Sequence, residues 1–388
     1  MLDVHTESDL AGKIIFAGYA YSAYIFRLFL PVNLSVIYPF PKVITTQHYL
    51  GCLAGVLIIL CGIIAYRKKE FILLGGICWY SVNIVLVLQF IRFGECLTAD
   101  RYLYIASIGI MFPLVYYLDK WMQQVVIPVP MYVISILVAG TLMVLTYARN
   151  NIWLSDMNFY TAIINIFPNS AVGQYSIGVL YMKEGELESA TEHIDKAVEL
   201  EPDNYKAWYN KGLLELRKSQ PAKALDALNR CLSISNYVKA YYSRAMIFSG
   251  TGEPQRALSD IDNVINQQPQ NARALYIKAT CLEQTGNLPD AINNYTLAID
   301  NDSSDALYLV RRGLAFARLH EPTKAMIDLN TAIAMKPADG EAYYYRGLIA
   351  YKSGGNACDD FRHALMLGYR DASVAISKYC GQYYDTNK

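Results

Sequence analysis

Apolar and polar positions follow different patterns in the two parts of this 388-residue chain. Residues 11–150 form long apolar runs rich in Ile, Leu, Val, Tyr and Gly, whereas residues 168–370 mix apolar and polar positions as soluble helical proteins do. A bilayer core of about 30 Å requires about 20 apolar residues in a helix, so the long runs predict membrane-spanning helices. We therefore predict an all-α protein in which a polytopic transmembrane helix bundle precedes a soluble helical part.

The candidate membrane spans are the apolar segments 14–30, 48–66, 71–91, 102–118 and 128–148. Arg27 weakens the first of them, since a charged side chain near the end of a span has to reach the interface. The alternative is that Arg27 faces the bundle and binds a lipid phosphate. Together the segments predict a transmembrane domain over residues 1–150, a connecting helix over 151–167 and a soluble domain over 168–388.

Positive charges beside the spans indicate which side of the membrane the soluble domain occupies. The flanking cations are Arg67, Lys68, Lys69 and Lys120 on one side, and Lys42, Arg92, Arg101 and Arg149 on the side of the soluble domain. The numbers are equal, but the 67–69 cluster favours a cytoplasmic hairpin because positive charge is enriched on that side. We expect an extracytoplasmic soluble domain, in a bacterial inner membrane or, alternatively, the endoplasmic reticulum membrane.

A pattern of small residues recurs at nearly constant spacing through the soluble part. One position holds Gly178, Gly212, Ala245, Ala279, Gly313 and Gly347, and a second holds Ala190, Ala224, Ala257, Ala291, Ala325 and Ala357. Small residues let paired helices approach closely, and Pro202, Pro269 and Pro337 end second helices. The spacing resembles the tetratricopeptide pattern, which repeats about every 34 residues. It predicts an α-solenoid of six repeats, the last with a shortened inter-helix turn, and a capping helix over 370–380.

The first helices of such a solenoid line a concave surface. One position on them is occupied by Tyr175, Tyr209, Tyr242, Tyr276 and Tyr344, with Val310 interrupting the series, and another by Lys206, Lys239 and Arg273. These residues are typical of an aromatic, partly basic groove for an extended protein or peptide segment with acidic or hydroxyl groups. The alternative is that the tyrosines only pack neighbouring repeats.

A second basic series precedes the first small position of the second to sixth repeats: Lys211, Arg244, Lys278, Arg312 and Arg346. Asp260 follows Arg244 at the same spacing as Asp328 follows Arg312. Asp360 follows Arg346 two residues sooner, as the shortened turn requires. This spacing predicts ion pairs between the two helices of one repeat rather than a binding site.

Motifs for catalysis, cofactors and nucleic acid are missing from the sequence. It contains no Walker loop, GxSxG, HExxH or dinucleotide fingerprint, and its five histidines are scattered. Lys+Arg and Asp+Glu number 34 each, so no overall field favours nucleic acid. We expect no metal and no cofactor.

Cysteine usage gives one candidate disulfide. None of the eight cysteines forms a CxxC motif or stands with histidine at zinc spacing. Cys52, Cys61 and Cys78 lie inside apolar runs, where cysteine acts as a small hydrophobe. Cys358 and Cys380 are the candidate pair, one in the last repeat and one in the capping helix.

A cluster of charges lies at one membrane interface, in the segment RFGECLTADRYLYIASIG that begins at Arg92. Arg92, Asp100 and Arg101 are candidates for holding a lipid phosphate there. The alternative is a salt-bridged loop that anchors two helix ends.

ADRYLYIASIG (99–109) and LPVNLSVIYPFP (30–41) resemble segments of polytopic glycosyltransferases of the C-type superfamily with tetratricopeptide tails. These are the animal transmembrane-and-tetratricopeptide-repeat O-mannosyltransferases and their bacterial relatives. The resemblance implies a polyprenyl-phosphate sugar donor bound near Arg101, with Asp100 beside it. About half of that family's membrane domain and its catalytic acidic pair have no counterpart here, so we assign no catalytic residue.

The resulting hypothesis is a membrane-anchored repeat protein that forms the non-catalytic C-terminal part of such a glycosyltransferase. Its repeats would bind partner or acceptor proteins, and a separate N-terminal partner chain would supply the catalytic groups. The alternative is an autonomous membrane scaffold that assembles envelope or lumenal proteins. A third hypothesis is that the protein is a self-sufficient enzyme that uses Asp100.

Overall fold

The structure is a computed structural model, and it describes residues 10–30, 34–35, 37–39, 41, 43–88, 96–123 and 129–380. The chain forms two compact units, Met1–Pro202 and Asp203–Lys388, which are described separately. The domain boundaries expected at residues 150 and 168 stay predictions.

Apolar helices occupy the positions of the expected spans in the first unit. They are α1 (Leu10–Phe29), α2 (Thr46–Arg67), α3 (Phe71–Val85), α4 (Leu103–Met122) and α5 (Val129–Asn150). Within the described residues, Thr46–Arg67 and Asp100–Met122 are long and apolar enough to cross a bilayer. Core helices of soluble proteins also pass that test, so the membrane location stays a prediction.

Helix α3 ends earlier than the expected segment 71–91, which is therefore too long at its C-terminal end. Its 15 residues cover about 22 Å, less than the bilayer core of about 30 Å. The Ser81 hydroxyl donates to the Ile77 carbonyl and the Asn83 amide to the Trp79 carbonyl, both at 2.7 Å. Both side chains thus bond back to the carbonyl four residues earlier, within the last turns of α3. Residues 89–91 lie outside the described residues.

Glycines set the close approach of the helix pairs in this unit. A Cβ atom added at Gly55 would lie 2.8 Å from the Gly18 carbonyl oxygen, so α1 and α2 touch at their backbones. Gly76 of α3 and Gly109 of α4 face each other in the same way. Small residues at both crossings allow this contact, as they do between membrane helices.

A short antiparallel ribbon joins two loops of the first unit, an element that the sequence did not predict. Its strands are β1 (Tyr38–Pro39) and β2 (Cys96–Thr98), with Tyr38 opposite Thr98. A single 3₁₀ turn, Asp100–Tyr102, then leads into α4. The ribbon brings the segments around residues 38 and 98 together.

The first unit ends with the predicted connecting helix and the first repeat. A 3₁₀ turn, Asn151–Trp153, precedes α6 (Asp156–Ile166), whose cap Ser155 accepts a hydrogen bond from the Asn158 amide at 3.1 Å. The first repeat consists of α7 (Ala171–Glu184) and α8 (Leu187–Leu200).

The second unit contains the remaining helix pairs and the cap. The pairs are α9 (Tyr205–Arg217) with α10 (Pro221–Ile234), α11 (Val238–Gly250) with α12 (Pro254–Gln267), α13 (Ala272–Gln284) with α14 (Leu288–Asn301), α15 (Ala306–Arg318) with α16 (Pro322–Met335), and α17 (Gly340–Lys352) with α18 (Cys358–Met366). The capping helix is α19 (Asp371–Tyr379). The predicted repeats and cap are therefore confirmed.

Local sequence sets the helix starts in the second unit. Asn204 and Asn271 cap first helices, each accepting a hydrogen bond at 3.1 Å from the backbone amide three residues on. Pro221, Pro254 and Pro322 begin second helices, where a missing amide hydrogen has no cost. The chain thus reverses between helices at fixed positions, which places all first helices of this unit in register.

Candidate peptide-binding groove

The groove tyrosines are half-buried, and they pack against other aromatic rings. The Tyr209 ring centroid lies 5.1 Å from that of Tyr237, just before the next repeat. The Tyr344 centroid lies 4.9 Å from that of Tyr369, beside the capping helix. Tyr175, in the first unit, is also half-buried. The packing alternative therefore accounts for part of the tyrosine series.

The three basic residues of the groove are exposed, in contrast to the tyrosines. Lys206, Lys239 and Arg273 extend from α9, α11 and α13. In the described part of the chain none of the three forms an ion pair, and the Lys206 ammonium lies 5.8 Å from the ring centroid of Tyr205. Their charges are available to a ligand.

A cavity of about 690 Å³ opens on this surface between α11, α13 and α15. Its lining includes Tyr242, Met246, Arg273, Tyr276, Tyr308 and Arg311. Sequence reasoning identified three of these residues and missed Met246, Tyr308 and Arg311. Where Val310 interrupts the tyrosine series, Tyr308 supplies the aromatic contact, its ring centroid 5.2 Å from that of Tyr276.

Arg311 is anchored at one end of this cavity. Its Nη2 lies 3.2 Å from Glu341 Oε1, and its positive charge also acts on the Tyr276 hydroxyl. Its Nε atom is buried and has no hydrogen-bond partner among the described residues. Burial raises the pKa of Tyr276, and of Tyr242, so both phenols stay protonated and able to donate at neutral pH.

The charge of the groove changes sign along the solenoid. The position three residues before the groove tyrosine holds Lys206, Lys239, Arg273, Leu307 and Glu341 in successive repeats. Glu341 is engaged with Arg311, whereas the cations of the earlier repeats lack such partners in the described residues. The unpaired positive charge is therefore concentrated in the second, third and fourth repeats.

The second basic series is structural, as predicted. Arg312 Nε and Nη2 each lie 2.8 Å from one carboxylate oxygen of Asp328, and Arg346 pairs with Asp360 in the same two-point manner at 2.9 and 2.6 Å. Lys278, whose own repeat offers no such acid, instead lies 2.8 Å from Asp262 of the preceding repeat. These cations bind helices together and are not available to a ligand.

The membrane-side cluster has a different arrangement from the groove. Arg149 Nη2 lies 2.9 Å from Asp100 Oδ2, and Arg149 Nη1 donates to the Leu34 carbonyl at 3.2 Å. Arg101 is exposed, and among the described residues its side chain hydrogen-bonds only to the hydroxyl of its neighbour Tyr102, at 3.3 Å. This geometry favours the salt-bridged loop, with Arg149 as a partner that the sequence did not suggest. Arg92 lies outside the described residues.

Arg27 is held by the two-stranded ribbon. Its Nη1 donates to Thr98 Oγ1 at 2.8 Å, and its guanidinium lies 3.5 Å from the centroid of the Tyr38 ring. A largely apolar cavity of about 980 Å³ begins at Arg27 and follows α1 and α2. Among the described residues no cluster of three metal-ligating side chains occurs.

Residues 175–237 and 242–306 match the family model for the tetratricopeptide repeat. The helix pairs from α7 to α14 overlap this match and are tetratricopeptide repeats. The segments that resemble glycosyltransferases, 30–41 and 99–109, lie outside this match, and their assignment stays a prediction.

Curated relatives match about half of this chain. DnaJ homolog subfamily C member 3 of Gallus gallus is 24% identical over 223 residues, which is 53% of this chain and 44% of that protein. The human mitochondrial import receptor subunit TOM70 is 22% identical over 209 residues, 51% of this chain and 34% of that protein. The chain thus spans less than half the length of either relative.

Solved structures with similar repeats include YrrB, described as a TPR protein with an unusual peptide-binding site. It is 22% identical, covers 48% of this chain and 97% of its own, and superposes with a TM-score of 0.45. A tetratricopeptide repeat protein from Parabacteroides merdae is 19% identical, covers 58% of this chain and 90% of its own, and gives a TM-score of 0.44.

Proposed function

We propose that this protein is a membrane-anchored adaptor whose tetratricopeptide repeats capture a partner protein by binding an extended segment of it. The observation that carries this proposal is the line of exposed, unpaired cations at Lys206, Lys239 and Arg273 beside half-buried tyrosines on one surface. An extended chain that passes along it can form charge-assisted hydrogen bonds at each repeat. The relative TOM70 is named as an import receptor subunit, which agrees with a protein-binding role.

The contrast between the two basic series supports this assignment. Arg312 and Arg346 are already held by carboxylates, whereas the groove cations have no such partner among the described residues. A charge without a partner at a concave surface has no structural role that the described residues reveal. Binding is the role that remains for it.

Anchoring in a membrane is supported by the apolar side chains that point outward from the first unit. Leu53 on α2, Phe112 on α4 and Met143 on α5 are each more than half exposed. Apolar surface that continues over several helix turns is unfavourable in water and suits a lipid environment. We place this unit in a bacterial inner membrane, with the endoplasmic reticulum membrane as the alternative.

The disulfide between Cys358 and Cys380 supports placing the repeats outside the cytoplasm. Disulfides persist in oxidising compartments and are rare in the cytosol. The same orientation follows from the positive cluster at 67–69, which the positive-inside rule assigns to the cytoplasm. Two independent features therefore favour an extracytoplasmic groove.

The test is capture of partners by the full-length protein in its native membrane, followed by mass spectrometry. Lys206→Glu with Lys239→Glu is expected to abolish capture of proteins that the wild type retains. A matched control, Lys223→Glu with Arg230→Glu, makes the same charge change on exposed residues of α10, a second helix, and is expected to retain them. Equal capture by both double variants contradicts the proposal.

The second candidate function is the non-catalytic part of a polyprenyl-phosphate-sugar glycosyltransferase. It is favoured by the ribbon, which pairs Tyr38, in the first segment that resembles that family, with Thr98, the residue directly before the second. The cavity that begins at Arg27 has a largely apolar lining, which suits a lipid chain. The catalytic groups would come from an N-terminal partner chain with an extracytoplasmic acidic pair.

Arg101→Ala separates the two candidates. Under the glycosyltransferase candidate it lowers glycosylation of the acceptor, and a polytopic partner with an acidic pair copurifies with the chain. Under the adaptor proposal Arg101→Ala leaves partner capture unchanged, and deletion of the gene leaves glycosylation intact.

A further inference from the structure

The cavity between α11, α13 and α15 contains two arginines with different surroundings. Arg311 is held by Glu341 at 3.2 Å. Arg273, on the adjacent first helix, is exposed and has no ion pair in the described part of the chain. The cavity therefore has one cation held in place and one free to meet a ligand.

The acidic groups near the cavity are engaged by the protein itself. Asp305 caps α15, its Oδ1 accepting a hydrogen bond from the Leu307 amide at 3.0 Å. Glu341 is bound to Arg311. Asp302, whose charge interacts with Arg273 at longer range, is bonded to the Ser304 hydroxyl at 2.7 Å. None of these carboxylates bonds to Arg273, so a ligand carboxylate there meets a cation that has no bonded counter-charge.

The rest of the cavity wall is apolar and aromatic. Met246 of α11 is half exposed at the cavity, although a thioether gains nothing from contact with water. The rings of Tyr276 and Tyr308 lie 5.2 Å apart on the adjoining helices. Methionine adapts to side chains of different shape, and aromatic rings offer flat faces for packing. This wall suits an apolar side chain of the ligand.

We infer that this cavity is a specificity pocket for an acidic side chain of the bound segment with an apolar side chain close to it in sequence. The inference rests on the proposed function and names the chemistry that the groove selects. Arg273 pairs with the carboxylate, and the Arg311 guanidinium adds positive charge at the same cavity. Met246 and the half-buried Tyr276 ring contact the apolar side chain, while the buried Tyr308 ring supports Tyr276 from behind. The two halves of the pocket together require both features in one short segment.

A selection experiment tests this pocket without a known partner. The full-length protein in lipid nanodiscs is used to select from a library of random peptides displayed at the N-terminus of a phage coat protein, so that no peptide has a free carboxyl terminus. Wild type is expected to enrich Asp or Glu close to Leu, Met, Phe or Tyr. Arg273→Glu is expected to lose the acidic preference and to weaken binding of a selected acidic peptide at least about tenfold.

Two further variants make the result specific. Lys223→Glu makes the same charge reversal at an exposed residue of α10 and is expected to keep the wild-type preference. Met246→Lys is expected to keep the acidic preference and lose the apolar one. Arg273 and Met246 are exposed, so these changes leave the helix core intact, and a thermal unfolding curve of each variant verifies it.

The outcomes separate this inference from the proposed function. Enrichment without acidic residues, or an acidic preference that survives Arg273→Glu, overturns the pocket assignment while the groove remains a binding surface. No enrichment by the wild type overturns the proposed function itself.

Discussion

Arg244 and Asp260 form a two-point ion pair that crosses the third repeat from α11 to α12. Arg244 Nε and Nη2 each lie 2.7 Å from one carboxylate oxygen, and the third nitrogen, Nη1, lies 2.6 Å from the Asn229 side-chain oxygen of the preceding repeat. One side chain thus joins both helices of its repeat to the neighbouring repeat. Arg346 does the same through Asn330, at 2.7 Å. The planar guanidinium makes this possible, because its nitrogens point in different directions.

Removing the carboxylate of this pair is expected to destabilise the third repeat strongly. Asp260 is almost fully buried, so Asp260→Ala leaves the Arg244 guanidinium without its partner, at a cost of about 3–5 kcal/mol. Hydrogen–deuterium exchange of α11 and α12 in the full chain measures the loss. Arg362→Gln, which breaks an exposed pair with Asp359, is expected to cost less than about 1 kcal/mol. Similar exchange in the two variants contradicts this structural role.

Adjacent glycines of α3 are expected to respond differently to the same substitution. A Cβ at Gly76 would overlap the Gly109 carbonyl oxygen and the Pro113 ring, whereas a Cβ at Gly75 meets open space. Gly76→Ala therefore forces α3 and α4 apart, with a cost of about 1–3 kcal/mol, and Gly75→Ala is neutral. Thermal unfolding in detergent compares the variants. A Gly76→Ala protein as stable as Gly75→Ala would show that the helices do not cross here.

Loss of the disulfide is expected to loosen the capping helix. Cys358 and Cys380 join α18 to the end of α19, so Cys380→Ser releases α19 at a cost of about 2–4 kcal/mol. Limited proteolysis within 358–380 reports this change. Cys61→Ser, at an exposed thiol of α2, serves as the control and leaves cleavage unchanged.

In protein taken from cells, Cys358 and Cys380 are both expected to resist alkylation until a reductant is added. Alkylation without reductant contradicts the bond and the extracytoplasmic placement.

The first repeat is expected to lose stability in mild acid through His193. Burial lowers the pKa of His193, which stacks on Tyr181 with ring centroids 5.5 Å apart and lies 2.6 Å from Gln174 Oε1. The unfolded chain then binds a proton more readily than the folded one. The stability is complete above the unfolded pKa of about 6.5 and falls as the pH drops from there through the lower folded pKa.

A comparison of wild type with His193→Gln measures this effect. The variant lacks the titrating group, so its melting temperature is expected to fall less than that of wild type between neutral pH and pH of about 5. Parallel curves for the two proteins would show that His193 carries none of the pH dependence.

The sequence alone was sufficient for the arginine–aspartate pairs that lie within one repeat. The spacing from Arg312 to Asp328 and the shorter spacing from Arg346 to Asp360 predicted both ion pairs correctly. Fixed helix and turn lengths bring these positions together in every repeat, so spacing is enough. The same reasoning left the tyrosines ambiguous, because a consensus residue at a concave position both packs and faces a ligand.

The sequence identified only part of the lining of the cavity between α11, α13 and α15. Arg311 stands next to Arg312, and successive helical residues point about 100° apart, so only one of the two can reach Asp328. The sequence therefore indicated that Arg311 and Arg312 point in different directions. Where the Arg311 side chain points depends on Glu341 in the next repeat. Met246 offered no comparable signal, since a single exposed methionine is ordinary in any soluble helix.

By itself the sequence determined the all-α class, the tetratricopeptide repeats, the capping helix and the ion pairs within repeats. Each follows from helical period, small residues and local spacing. Only the tertiary structure decided that Arg149 holds Asp100, 49 residues away, and that Arg311 reaches Glu341, 30 residues away. The physical reason is that Arg311 and Glu341 lie in different repeats, and Asp100 and Arg149 lie outside the repeats, where no fixed helix and turn length sets their distance. Whether they meet depends on how the helices pack, which no spacing along the chain records.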